Sequence, residues 1–130
     1  MLRLEIVTPE KRVVDAEVDS VTVPTLTGEA GIFPSHAPLV SALKPGILSY
    51  AQKGNSERLA VSGGFIEVSR DVVSVLVDSA ETSEEIDVSA ARASLDSAEK
   101  SLSSQASVED NEKIREALDH AAARIQLAGR

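Results

Sequence analysis

From Leu2 to Val77 the chain alternates apolar and polar positions at short range, and after Ile86 the alternation gives way to a longer period. Val21 with Val23, Leu59 with Val61, and Val73, Val75 and Val77 recur at every second residue, the period of a strand with one buried face. Short strands are therefore expected at 2–7, 17–23, 39–43, 46–50, 57–61, 65–68 and 72–77. Turn residues separate them: Thr8-Pro9-Glu10, Pro24 with Gly28, Pro45-Gly46, Lys53-Gly54-Asn55-Ser56 and Ser69-Arg70-Asp71. Many short strands punctuated in this way predict a β-sandwich or flattened barrel. Gly63-Gly64, inside an otherwise strand-like run, marks a bend or a close backbone approach.

Beyond Ile86 the spacing is helical. Val88, Ala91, Leu95, Ala98 and Leu102 fall 3, 4, 3 and 4 apart and share one helix stripe, with Asp87 placed to cap the start. Ile114, Leu118, Ala121, Ile125 and Ala128 repeat the stripe, and Ser107 with Asp110 resembles a capping box. Residues 103–106 would join the two into an antiparallel helical hairpin, ~25–30 Å long at ~1.5 Å per residue. Alanine in the seam buries little area, so by ~25 cal/mol per Å² the pair holds more weakly than a leucine seam would. All five prolines, six of the seven glycines and all three aromatics precede Thr82. A division into residues 1–84 and 85–130 is expected.

The stretch 28–39 concentrates Gly28, Gly31, Pro34, Pro38, His36 and Phe33, and reads as a surface loop of fixed shape on the strand scaffold. A net charge of -8 without a Lys/Arg cluster argues against nucleic acid as a partner. No run approaches the ~18 apolar residues of a membrane span, and the N-terminus enters strand alternation without a basic-then-apolar leader. Cysteine is absent, which removes disulfides and thiol chemistry and fits a cytosolic protein.

Gly28-Glu29-Ala30-Gly31-Ile32-Phe33-Pro34-Ser35-His36-Ala37-Pro38-Leu39, followed by Leu43-Lys44-Pro45-Gly46 and by Ser62-Gly63-Gly64-Phe65 with Glu67-Val68, resembles the epsilon subunit of the bacterial-type rotary ATP synthase. The likeness covers essentially the whole chain. It implies a ten-stranded β-sandwich followed by a C-terminal helical hairpin, acting as a non-catalytic subunit of the central stalk. The implied partners are the shaft (gamma) subunit, the membrane ring of c subunits and, when the hairpin extends to block rotation, the catalytic hexamer. The implied location is peripheral, on the cytoplasmic face of the bacterial membrane, or the stromal face of the thylakoid in a plastid.

Position by position, Gly28, Glu29, Ala30, Gly31 and Ile32 match the loop that meets the ring, while Thr8, His36 and Ser41 match positions near the shaft. The alternatives for Glu29 and His36 are a solvated loop charge and a residue pinning its own turn. Some family members bind ATP at the hairpin through an Ile/Leu-Asp-x-x-Arg-Ala string helped by arginines on the second helix. Here Ile86, Asp87 and Ala91 match, but Ala90 stands at the arginine position and His120 replaces one of the helix arginines, while Arg124 remains. Losing a charge-assisted phosphate contact worth ~1.5–3 kcal/mol predicts weak or absent ATP binding. Lys113, Arg115 and Arg124, read as lying on the hairpin's outer face, are candidates for contact with acidic catalytic subunits, although Glu109, Asp110, Glu112 and Glu116 oppose that attraction.

No catalytic constellation emerges. Adjacent Ser35 and His36 diverge on extended backbone and no third residue orients them, so no hydrolytic triad is expected. Two distant histidines give no metal-ligand spacing, Glu84-Glu85-Asp87 suits a solvated helix start, and Gly63-Gly64 lacks the Lys-Ser/Thr of a phosphate loop. No cofactor is expected. Two further function classes fit the same pattern: a nucleotide sensor reporting ATP through the hairpin, and an unrelated sandwich adaptor with a helical tail.

Overall fold

Valine and leucine at alternate positions leave each strand one apolar face, and two layers of such strands bury those faces against one another. The computed structural model describes residues 1–101 and 108–129, with 108–110 described by backbone alone. Its elements are β1 (Leu2–Val7), β2 (Arg12–Val18), β3 (Ser20–Thr25), β4 (Gly28–Ile32), β5 (Leu39–Leu43), β6 (Gly46–Gln52), β7 (Asn55–Val61), β8 (Gly64–Ser69), β9 (Val72–Val77), β10 (Ala80–Glu81), α1 (Val88–Ser101) and α2 (Val108–Ala128). The ten strands form one hydrogen-bonded path, β10-β7-β6-β3-β5-β8-β9-β1-β2, with β4 on the remaining edge of β3. Pairing is antiparallel except between β1 and β9. On one edge, β3 gives Ser20–Thr22 to β6 and Thr25 to β5, so the path passes from one layer to the other at this strand. Leu4, Ile6, Val23, Ile32, Leu48 and Val73 are fully buried between the layers.

The sequence pattern leaves three strands unrecognised: the two-residue β10, β2 and β4. β2 carries Val13, Val14, Ala16 and Val18, a run that breaks strict alternation. Among the described residues it pairs with β1 alone, which leaves it at the edge of the sheet. Its polar positions are tied by Arg3–Asp15 (2.5 Å), Arg12–Asp15 (3.2 Å) and Arg12–Glu5 (3.8 Å), exposed ion pairs that contribute little each but keep an edge strand charged against unwanted pairing. In β4, residues 28–32, expected as loop, form a strand paired with β3 from Val21↔Ile32 to Thr25↔Gly28. Glycine lowers strand propensity, and here the buried Ile32 and half-buried Ala30 outweigh it.

Asp87 caps α1 as its position predicts. Its Oδ1 accepts from Ala90 N–H at 3.0 Å and its carbonyl from Ala91 N–H at 2.9 Å. Ala91 and Ala98 are buried in the seam with α2, where Ala121 is also buried, while Val88 is 37% exposed and contributes less than its spacing suggests. Leu102, the 103–106 connector, Ser107 and the Asp110 side chain lie outside the described residues. The hairpin meets the sandwich through α2, which rests on β6 and β7. Between β10 and α1 the Thr82–Glu85 turn is held by the Glu85 carboxylate. It accepts from the Thr82 N–H (3.0 Å) and hydroxyl (3.1 Å), and those bonds lower its pKa.

At Gly64 the backbone of β8 runs so close to β9 that a Cβ would collide with the Leu76 carbonyl oxygen and sit 2.9 Å from Val77 Cγ1. Both neighbours belong to a paired strand and cannot swing away. Gly64→Ala is expected to destabilise the sandwich by more than ~3 kcal/mol, the range of severe core strain, whereas Gly63→Ala, facing Leu43 O at 3.2 Å, costs distinctly less. Urea denaturation of the two variants checks the order; equal stabilities would refute it.

Candidate functional site

Three surfaces carry the residues singled out by sequence: the β3–β4 hairpin, the outer face of β5-β8-β9-β1, and the seat of α2. At the first, Leu26 and Thr27 form the tip. Thr25, only 7% exposed, donates its hydroxyl to Gly28 O at 2.5 Å, and Gly28 adopts φ 128°, which side-chain-bearing residues rarely reach. Pairing sorts the strand into two faces. Ala30 and Ile32 align with Val23 and Val21 and point into the core, whereas Glu29 aligns with Pro24 and Gly31 with Thr22. Glu29 thus lines a groove of about 360 Å³ shared with Lys44 and with Asp119 and Gln126 of α2. A Cβ on Gly31 would meet the Phe33 ring at 3.3 Å, so that exposed ring lies over the glycine.

The turn that follows is anchored from a distance. Ser35 has φ 67° and its N–H donates to Asp71 Oδ1 at 2.7 Å, while the Asp71 carbonyl accepts from Arg3 N–H at 2.8 Å. Asp71 therefore ties the 33–36 turn to β1 and to the β8–β9 turn. His36 closes that turn, its N–H reaching Phe33 O at 3.2 Å and its Nδ1 lying 2.6 Å from Ala37 O. The imidazole is thus engaged locally.

The outer face of the second surface is unusually apolar. Phe65 pairs with Ala42 on one side and Leu76 on the other, and Leu76 pairs with Val7, so these four form a row across four strands. Phe65 and Leu76 are 62% and 55% exposed, and Val40 on the same face is 74% exposed. Leu26, Thr8, Phe65 and Leu76 line one side of a groove of about 880 Å³ whose other side is Lys113, Glu116, Ala117 and His120 of α2. Thr8 is held there by Lys11, donating its N–H to Lys11 O at 2.9 Å and accepting the Lys11 N–H at 3.3 Å. Ser41 pairs with Ile66 and so shares the inward side of β5, away from Val40. Thr8, His36 and Ser41 thus fall on three different settings. The apolar row itself escaped the sequence pattern, although Phe65 and Leu76 are large apolar residues at the polar phase of their strands, a legible signal.

At the third surface α2 has two working faces. Ile114, Leu118, Ala121 and Ile125 turn toward α1, as their spacing predicts, while His120, Ala123, Arg124 and Leu127, also at helical spacing, turn toward the sandwich; Ala128, expected in the α1 stripe, packs on the sandwich side instead. Ala123 and Leu127 pack with Ala60 and Ile86, flanked by Ile47 and Ala128. Arg124 is not on the outer face: its side chain is 16% exposed, Nε lies 2.7 Å from Glu81 Oε1, and a terminal nitrogen donates to Oε2 at 3.3 Å. The Nε–H is out of line with Oε1, which makes the shorter contact a charge pair rather than a hydrogen bond. His120 Nε2 is 3.3 Å from Ser79 Oγ. Burial first, then the Arg124 charge, lower the His120 pKa, and Glu81 partly opposes them. Both contacts join residues more than forty positions apart, beyond the reach of periodicity.

The nucleotide candidates are therefore already occupied. Ile86 is buried against Ala123 and Leu127, Asp87 caps α1, Ala91 faces α2, and Arg124 is paired with Glu81. Of the cationic candidates for the hexamer, Lys113 borders the large groove and Arg115 is exposed. Among the described residues no three His, Asp or Glu side chains converge to hold a metal, and no helix is long and apolar enough to cross a membrane.

Removing one partner of the Arg124–Glu81 pair leaves the other charge unmatched in a largely dry setting. Glu81→Gln is expected to weaken the seating of α2 by ~1–3 kcal/mol. Amide hydrogen exchange reads this directly, as faster exchange in α2 with the β1, β8 and β9 amides unchanged. Equal exchange in the variant would show that the pair contributes nothing to docking.

Residues 1–83 match the family described as ATP synthase, Delta/Epsilon chain, beta-sandwich domain. The ATP synthase epsilon chain of Desulforamulus reducens is 48% identical over 126 residues, spanning 97% of this chain and 96% of that one. The epsilon chain of Citrifermentans bemidjiense is 42% identical over 130 residues, covering 99% and 94%. A chain in the cryo-EM structure of Euglena gracilis mitochondrial ATP synthase, OSCP/F1/c-ring in rotational state 1, superposes with a TM-score of 0.81 at 26% identity over 99% of this chain and 81% of that one. A chain in the central stalk/c-ring structure of the Tetrahymena thermophila mitochondrial enzyme, 14% identical, shares the fold with a TM-score of 0.66 over 98% and 96%. On a match that spans both the sandwich and the helices, the chain belongs to the delta/epsilon family of ATP synthase subunits.

Proposed function

We propose that the chain is a non-catalytic rotor subunit that couples the membrane c-ring to the gamma shaft and restrains ATP hydrolysis through its C-terminal hairpin. Residues 1–84 form the coupling unit and residues 85–130 the regulatory one. The observation that carries this function is the near full-length match to bacterial epsilon chains, joined to a hairpin seated on the sandwich through a small contact. The exposed row through Phe65 and Leu76, with Val40 beside it, supports the sandwich as the part that clamps an apolar partner such as the shaft. The β3–β4 tip, with Leu26 69% exposed and Gly28 fixing its shape, is the part offered to the ring loops. The working location is peripheral, on the cytoplasmic face of a bacterial membrane.

ATP hydrolysis by the cognate complex lacking this subunit tests the division of labour. Full chain and a chain ending at residue 84 are both expected to bind, and only the full chain to slow hydrolysis. Slowing by the truncated chain would move the brake into the sandwich, and failure of both to bind would refute the rotor assignment.

Nucleotide sensing is the weaker alternative, because Ala90 supplies no guanidinium and Arg124 is engaged by Glu81. Calorimetric titration with ATP is expected to show no saturable binding at micromolar concentrations. Low-micromolar affinity would overturn that expectation.

A further inference from the structure

Two features of the α2 seat are not explained by packing alone. A titratable imidazole is placed inside the contact rather than on the solvated side of the helix, and it stands one helical turn from the Arg124 guanidinium, whose charge is paired with Glu81. Ser79, its partner on the sandwich, is rigidly held: its N–H donates to Ser62 Oγ at 3.0 Å and its carbonyl accepts from Ser62 N–H at 3.1 Å. The hydroxyl therefore cannot follow the helix if the helix lifts. We infer that His120 makes the seating of α2 on the sandwich sensitive to pH, with the hairpin docked while the imidazole is neutral and released when it is protonated.

The hydrogen bond itself does not distinguish the two states. Ser79 can donate to a neutral Nε2 or accept from a protonated one, so the discrimination comes from charge. In the docked state an added proton puts a second cation beside Arg124 in a half-buried setting, and the opposing Glu81 is shared. Other charged groups bordering the contact are Asp78 from the sandwich and Lys113 and Glu116 from α2, which line the same groove as His120. Once α2 lifts, the imidazole returns to water and to its ordinary value of 6.5. The released state therefore takes up the proton more readily. Docking is at full strength well above pH 6.5, begins to weaken as pH falls through that value, and stops weakening below the lowered docked pKa. Each unit of lowering corresponds to ~10-fold in the docking constant.

This switch rests on the hairpin acting as a movable regulatory unit, yet it can be read on the isolated full chain. NMR titration from pH 8 to 5 follows docking through the Ala60, Ala123 and Leu127 signals, with the strand amides reporting sandwich integrity and His36 serving as a second imidazole. The wild-type chain is expected to lose docked population on acidification. His120→Gln keeps a polar group within reach of Ser79 without a titratable charge and is expected to stay docked throughout. His120→Lys carries the charge at every pH in the range and is expected to be released already at pH 8. A pH-independent wild-type hairpin, or an equal acid response in His120→Gln, overturns the inference; the latter result would assign the response to the neighbouring carboxylates. Neither result depends on whether the hairpin slows hydrolysis, so a failed brake and a failed switch are separable outcomes.

Discussion

The hold of the helical hairpin on the sandwich depends on one small contact, the seating of Ala123 and Leu127 against Ala60 and Ile86. Two of these four are alanine, and a seat of this size removes far less apolar surface from water than the leucine, isoleucine and valine layers of the sandwich. The polar pairs that surround it, Arg124–Glu81 and His120–Ser79, supply direction more than strength. Charges taken out of water lose hydration nearly as fast as they gain attraction. Their geometry nevertheless fixes which turn of α2 rests on which strand, something an alanine surface alone would leave free to slide.

The sandwich obeys the opposite rule. Its core residues are almost wholly excluded from solvent, its strands are joined in a single hydrogen-bonded path, and at Gly64 two strands approach more closely than any side chain would permit. Distant turns are tied together through Asp71, which links Ser35 to β1 and to the β8–β9 turn. A body so braced suits the proposed transmission of torque, which needs a part that moves as a unit. A hairpin held by a thin seat suits the proposed brake, which needs a part that can move separately. The two halves are therefore distinguished by how they are held, beyond their differing secondary structure.

Much of this was legible before any coordinates. Val73, Val75 and Val77 announce β9 by alternation, Asp87 announces the start of α1, and the stripe from Ile114 to Ile125 announces the face of α2 that meets α1. What alternation could not reveal were β2, whose Val13-Val14 pair breaks the period at a sheet edge, and β4, whose glycines disguise a strand held by Ile32 and Ala30. Residues 28–32 read as loop for the same reason, since glycine reports backbone angles and says nothing of the strand across the way, whereas 33–38 form the turn that Pro34 and Pro38 announce. The second face of α2 was hidden more deeply, since His120, Ala123 and Arg124 do not look apolar and their partners Ser79, Ala60 and Glu81 lie far back in the chain.

That concealment carries a consequence for function. Arg124 matched a nucleotide-binding pattern by position, and the same side chain is instead engaged in docking. A helix position that could hold a phosphate in one relative can hold a carboxylate of its own sandwich in another, because a guanidinium meets both with the same fork of donors. Where Ala90 supplies no neighbouring guanidinium, a phosphate would have to displace Glu81 with less to offer in return, so the internal pair is expected to prevail. Substituting His120 for a permanently charged arginine then does more than weaken an anion site. It puts a group with an ordinary pKa of 6.5 at the point where a fixed cation would repel Arg124 at every pH, which is the physical basis of the proton response inferred above.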